Sequence, residues 1–143
     1  MVDPEVVRRR LREIDRRVAA LRTVAAGGRE ALLADPDLQA QVERHLQVAI
    51  QSAIDIAMHI LAENSSAAPE DYGSAFTLLG REKVIPDTLA RRLRPAAGLR
   101  NVLVHAYVEV DPAQVWGQLD DLDDLVAFAG EVESYLMRDR PDE

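Results

Sequence analysis

Apolar residues recur along this chain at intervals of three and four, the period of a helix buried on one face. Val7, Leu11, Ile14, Val18 and Leu21 form the first series, opened by Asp3-Pro4, a capping residue followed by proline at the first helical position. This predicts a helix to about Ala26, where Gly27-Gly28 weakens it. Asp35-Pro36 repeats the cap, and Leu38, Val42, Leu46, Ile50, Ala53, Ala57 and Ile60 predict a long second helix ending near Asn64. The stretch from Asn64 to Asp71, rich in Ser, Ala and Pro, reads as a loop, and a short helix follows from Tyr72 to Leu79. Asp87 is placed to cap a further helix through Leu89 and Leu93. Pro95 lacks an amide hydrogen, so it either kinks that helix or begins a new one, with helicity resuming through Leu99 and Leu103. Val108-Glu109-Val110 is briefly strand-like, but three residues cannot make a sheet alone; Asp111-Pro112 then opens a last helix to about Met137. With no internal repeat or low-complexity segment, the pattern predicts an all-α, up-and-down bundle of four to five main helices, with residues 1–143 as one domain.

Composition narrows the classes. A chain of 143 residues with 48% hydrophobic content can build one real core. It has no apolar run of the roughly 18 residues that a membrane span needs. Met1-Val2-Asp3-Pro4-Glu5 also lacks the basic and apolar regions of a signal peptide, so a soluble cytoplasmic protein is expected. Without cysteine there is no disulfide framework and no thiolate zinc site, while a His/carboxylate metal site stays open. The formal net charge of −8 argues against broad binding to a polyanion. The charge is uneven, however: basic residues gather at Arg8, Arg9, Arg10, Arg12, Arg16, Arg17 and Arg22 and again at Arg91, Arg92, Arg94 and Arg100, whereas Asp120, Asp121, Asp123 and Asp124 mark an acidic C-terminal quarter. Such runs are ordinarily solvated helix faces, with a basic patch beside a site as the alternative.

The segment from Arg100 to Tyr107 carries the most chemistry, reading R-N-x-x-x-H-x-Y. Arginine is a permanently charged fork suited to phosphate, histidine titrates near neutral pH, and a tyrosine hydroxyl donates, accepts or is modified. These are the parts of a metal-independent ribonuclease, in which a ribose 2′-hydroxyl attacks the adjacent phosphorus and needs only a base, an acid and a cation. Helix geometry limits the inference. At roughly 100° per residue Asn101 and His105 share a face, but Arg100 and His105 lie about 140° apart. Either the helix loosens near His105, or a second copy completes the site across a two-fold axis.

The segment resembles the R-x4-H-x-Y signature of HepT-like proteins of the HEPN superfamily, including the polar Asn101 after the arginine. The likeness extends over Gln47 to Ile60 with Asp55 and His59, Asp71-Tyr72 and Phe76, Val84-Ile85-Pro86, and Ala97 to Asn101. Ala96-Ala97-Gly98-Leu99 departs mildly from the Met-Ala-Gly-Phe expected there. The resemblance implies a HEPN-like helical bundle forming a homodimer with the motif at its interface, cleavage of RNA without metal or other cofactor, and pairing with a minimal nucleotidyltransferase antitoxin. It also implies that Arg100 and His105 are catalytic and that Tyr107 accepts AMP from the antitoxin.

Other readings stand beside this one. The same helices could form a non-catalytic module that docks a nucleotidyltransferase, with Tyr107 a passive target, or a helical subunit with no nucleotide chemistry. Asp55 and His59, one turn apart, could support His105 or bind metal, but a satisfied i,i+4 pair inside the bundle is the plainer expectation. His45 has no evident partner. Trp116 and Phe128 are expected as core or interface anchors, and Tyr72 and Tyr135 as packed aromatics.

Overall fold

Each of the three Asp-Pro pairs opens a helix. In the computed structural model, which describes residues 2–64, 67–105 and 109–138, the Asp3 carboxylate accepts the Glu5 amide at 3.0 Å and α1 runs Pro4–Ala26. Gly28 then adopts a φ of 95°, a left-handed conformation open to glycine, and turns the chain into the short α2, Arg29–Leu33, whose Leu32 is fully buried. The sequence pattern marked this glycine pair only as a helix end. The Asp35 carboxylate accepts the amides of Asp37 and Leu38 and opens α3, Pro36–Glu63. Asp71 accepts the Ser74 amide at 2.7 Å ahead of α4, Tyr72–Arg81.

Two expectations are corrected. Asp87 is not a cap: α5, Asp87–Val104, begins from Pro86, whose φ of −64° and ψ of 147° lead into the helix, and Asp87 sits in the first turn. Pro95 lies inside α5, so no new helix begins there. The expected last helix is divided into α6, Pro112–Gln118, a 3-10 turn, Leu119–Asp121, and α7, Leu122–Arg138. Gly117 and the aspartate run explain the division, since carboxylates are unfavourable near a helix C-terminus and favourable in a first turn, where Asp123 and Asp124 lie. Asp111 caps α6 through the Ala113 amide as expected. Val108 lies outside the described residues, and Glu109 and Val110 form no strand.

The result is an all-α bundle around α3, which packs against α1, α2, α4, α5, α6 and α7. Its second half is buried on most sides, through Ala49, Ile50, Ala53, Ile54, Ile56, Ala57, Ile60 and Leu61. Phe128 of α7 is fully buried and meets Phe76 of α4 edge-to-face at 5.8 Å, while Trp116 packs partly buried against the same core. Helices α4 and α5 close tightly at Gly80, where a β-carbon would lie 2.9 Å from an Asp87 carboxylate oxygen and 3.1 Å from the Ala90 methyl. No helix of the described residues is long and apolar enough to cross a membrane.

Much of the arginine run on α1 is tied to carboxylates: Arg8 to Glu133 at 3.1 Å, Arg22 to Asp123 at 2.8 Å, and Arg16 and Arg17 to Glu13 at 2.6 and 2.9 Å. Exposed pairs of this kind contribute about 0–1 kcal/mol each, so they orient helices more than they stabilise them. His45, for which the sequence suggested no partner, has its Nδ1 3.1 Å from an Arg17 guanidinium nitrogen. Arginine only donates, so Nδ1 accepts and the ring is neutral. Burial, and then the Arg17 charge, push the His45 pKa below the ordinary value of 6.5. The folded state therefore binds this proton less readily than the unfolded chain; the stability that results is present above the ordinary value and lost as pH falls below about 6.5. His45→Gln should flatten the pH dependence of urea unfolding between about pH 5 and 7. An unchanged slope would refute this role for His45.

Candidate functional site

Arg100, Asn101 and His105 lie at the C-terminal end of α5. The half-buried Arg100 donates its Nε hydrogen to Gln51 Oε1 on α3 at 2.6 Å and an Nη1 hydrogen to Asn101 Oδ1 at 3.0 Å. Its guanidinium carbon sits 5.0 Å from the centre of the Tyr72 ring, a cation–π contact from the first residue of α4. Gln51 passes the interaction on: its Nε2 donates to Asp55 Oδ1 at 2.8 Å. The other carboxylate oxygen of Asp55 faces Arg10 of α1 at 3.7 Å.

This order is fixed by donor and acceptor chemistry. Arginine offers only donors and an ionised aspartate only acceptors, so the amide between them must present oxygen to Arg100 and nitrogen to Asp55. Arg100 is thus held by Gln51, Asn101 and the Tyr72 ring, while among the described residues its Nη2 has no acceptor. The guanidinium is held at Nε and Nη1 and keeps the Nη2 hydrogens for an anionic oxygen.

Helix α5 stops at Val104. His105 is its cap, with φ −81° and ψ 86°, an exposed side chain, and an amide bonded to the Val102 carbonyl at 3.3 Å. The straight helix that would set Arg100 and His105 about 140° apart (roughly 100° per residue) ends before the histidine, for the backbone leaves the helix at His105. Tyr107 lies outside the described residues.

Asp55 joins the Arg100 network as a supporting residue, whereas His59 does not. The expected Asp55–His59 pair is replaced by two separate interactions, because His59 Nε2 accepts the Asp3 amide at 3.3 Å and secures the start of α1. Gln51 was not singled out from the sequence, and Tyr72 was expected only as a packed aromatic, which it also is. The signal for Gln51 was its place one turn before Asp55 on α3; for Tyr72 it was the preceding Asp71 cap. That cap carboxylate is held below its ordinary pKa by its bonds from Ser74, with Arg94 adding a smaller effect.

Two depressions are lined by residues that contact Arg100. One, of about 240 Å³, is lined by Tyr72, Arg94, Gly98 and Asn101 among others. The second, of about 420 Å³, runs between α1 and α3 and includes Gln51 and Asp55.

Comparison with known proteins places this geometry in context. A family model described as ribonuclease HepT-like matches residues 9–132. The tRNA nuclease HepT of Aphanizomenon flos-aquae is 32% identical over 137 residues, covering 95% of this chain and 93% of that protein. The mRNA nuclease HepT of Shewanella oneidensis is 36% identical over 77 residues, covering 54% and 58%. Among solved structures, the tri-AMPylated Shewanella oneidensis HEPN toxin in complex with MNT antitoxin matches with a TM-score of 0.83 at 27% identity, over 92% of this chain and 99% of that one. YutE from Bacillus subtilis, a cytosolic protein of unknown function, matches with a TM-score of 0.85 over 99% and 96% of the two chains, but at 17% identity this shows the fold alone.

Gln51→Leu would leave both Arg100 Nε and an Asp55 oxygen without their partner. Because both groups are partly exposed and water can replace some of the loss, the expected destabilisation is about 1 kcal/mol, the low end for an unmatched polar group. Gln51→Glu should keep the Arg100 bond but set two carboxylates side by side, raising the pKa of one of them. Urea unfolding and NMR titration of the carboxyl groups test both; identical stability for wild type and Gln51→Leu would remove Gln51 from the network.

Proposed function

The chain belongs to the ribonuclease HepT-like family, and we propose that it cleaves RNA with Arg100 and His105 and is silenced through Tyr107. It is the ribonuclease toxin of a HEPN–MNT toxin–antitoxin pair, and its partner is a nucleotidyltransferase antitoxin. We place it in the cytoplasm as one domain, working as a homodimer. The observation that carries the catalytic reading is the held but open guanidinium of Arg100, followed five residues later by an exposed histidine at the point where α5 ends.

In this mechanism a lone pair of the ribose 2′-oxygen attacks the adjacent phosphorus as a base removes its proton. The bond to the 5′-oxygen breaks, and that oxygen takes a proton from an acid, leaving a 2′,3′-cyclic phosphate and a 5′-hydroxyl. Arg100 presents its open edge to the non-bridging oxygens, where charge accumulates in the transition state. His105 performs one proton transfer, and the His105 of a second copy across the two-fold axis performs the other. Neither metal nor cofactor takes part.

Arg100→Ala and His105→Ala should each abolish growth inhibition and RNA cleavage while the helical circular-dichroism signal persists. Loss of a general acid or base typically costs about 10²- to 10⁴-fold in rate. Chelator should leave wild-type cleavage unchanged. Full toxicity of either variant at wild-type expression would overturn the assignment.

Silencing follows from the place of Tyr107, two residues beyond His105. Its hydroxyl oxygen attacks the α-phosphorus of ATP, pyrophosphate leaves, and the tyrosine carries a negative phosphodiester that competes with RNA for Arg100. Co-expression with an MNT-type antitoxin should add whole AMP units to the peptide containing Tyr107, and Tyr107→Phe should escape. AMP found on Tyr72 or Tyr135 instead would refute this mechanism while leaving the ribonuclease assignment standing.

A further inference from the structure

The groove between α1 and α3 is lined by more basic than acidic side chains, on a chain of net negative charge. Four arginines line it, Arg9, Arg10, Arg17 and Arg44, against two carboxylates, Glu13 and Asp55. Both carboxylates are already engaged. Glu13 accepts from Arg16 and Arg17, which hold its pKa below the ordinary carboxylate value, and Asp55 is shared between Gln51 and Arg10. Arg9 and Arg44 are exposed, and no carboxylate lies within ion-pairing distance of either among the described residues. Two uncompensated cations therefore face a groove of about 420 Å³ on a chain whose formal net charge is −8.

Gln51 connects this groove to the candidate catalytic centre. It lines the groove and also holds Arg100 at 2.6 Å, so the groove begins one side chain away from the cation proposed to hold the scissile phosphate. We infer that the α1–α3 groove is a subsite for the RNA strand flanking the scissile phosphodiester, with Arg9 and Arg44 as its principal phosphate contacts. This rests on the ribonuclease reading and deepens it.

The lining also says how the strand is read. Among the described residues no aromatic side chain borders the groove, so these offer no platform on which a base can stack, and their apolar content is limited to Val48 and the side-chain stems. Contact is with the sugar–phosphate backbone, through charge, and is insensitive to base identity. Arg10 reinforces it: held by Asp55 at 3.7 Å, it can turn to a phosphate at little cost. A protein partner would more readily exploit an apolar surface with a polar rim than a polar channel that leads to the reacting phosphate.

The experiment uses the full chain and a single-stranded RNA of about 16 nucleotides with 2′-O-methyl riboses, which lack the nucleophile and remain intact. Fluorescence anisotropy is measured across a salt series for wild type, Arg9→Gln/Arg44→Gln, and Arg29→Gln, an exposed arginine of α2 outside the groove. The double variant should bind about five- to tenfold more weakly near 0.1 M salt. Its slope of log affinity against log salt should be shallower by about 1.4, the release expected from two single-strand phosphate contacts. Arg29→Gln should match wild type. Cleavage of unmodified RNA should show a raised KM with kcat largely retained in the double variant, whereas a dinucleotide that cannot reach the groove should be cut equally by both proteins.

Equal affinity and slope for the double variant and wild type would overturn the subsite. So would a double variant that binds RNA normally but no longer forms a complex with the antitoxin, since that assigns the groove to the protein partner. If wild type neither binds the oligomer nor cuts its unmodified counterpart, the ribonuclease reading falls and the subsite falls with it. If wild type cuts while the double variant is unaltered, only the subsite fails.

Discussion

The structure depends on the burial of α3. Between Ala49 and Leu61 most positions of this helix are enclosed by neighbours, and only a narrow stripe through Gln51, Asp55, Met58 and His59 retains partial exposure. These residues follow one another at helical spacing, so the stripe is a single line along the cylinder. Polar side chains on it can neither leave for solvent freely nor remain unmatched, and each has found a distant partner. Gln51 and Asp55 take Arg100 and Arg10, while His59 takes the backbone amide of Asp3. The helix that organises the core thereby fixes the entrance of α1 and aims the principal cation of the site. A change that rotated α3 would move all three attachments together.

This arrangement explains how an acidic chain serves a reaction on a polyanion. The aspartates near the start of α7 are not a repulsive field over the site: Asp123 engages Arg22 and Asp124 engages Arg92, at 2.8 Å in each case. Negative charge is partly consumed in holding α7 against α1 and α5. Among the described residues, Arg9 and Arg44 are left without a carboxylate partner where α1 faces α3. Exposed ion pairs contribute little individually, but their distribution decides which arginines remain free, and that matters more for function than their sum.

What could be read from the sequence was local. Asp3, Asp35 and Asp111 each cap the helix predicted for them, because a cap and the proline after it are decided within four residues. The break between α6 and α7 was missed because the apolar spacing runs on through it, and the aspartates that favour a new first turn were read only as charge. Asp55 and His59 show the opposite failure. Their spacing allowed a pair, yet Asp55 bonds Gln51 one turn earlier and faces Arg10 of α1, while His59 takes the amide of Asp3 at the entrance of α1; helical spacing cannot choose among such partners. Arg100 and His105 were legible as a motif, but the bond from Arg100 to Gln51 spans 49 residues of sequence and needed the fold to reveal it.

The position of His105 has a consequence for control as well as for catalysis. Helix α5 ends at Val104, and Tyr107 follows three residues later in the sequence. Under the proposed silencing, an AMP phosphodiester attached there competes with RNA as a tethered ligand, at an effective concentration on the order of millimolar. Such a competitor prevails only if RNA does not bind too tightly. Non-specific binding of nucleic acid through phosphates typically has a Kd of about 10⁻⁴ to 10⁻⁶ M, and extensive basic surfaces push it lower. Under the same proposal, a net charge of −8, with two arginines unpaired among the described residues of one groove, would hold RNA affinity within reach of the tethered phosphate. The acidity that seemed to speak against a ribonuclease is then what allows one covalent group to switch it off.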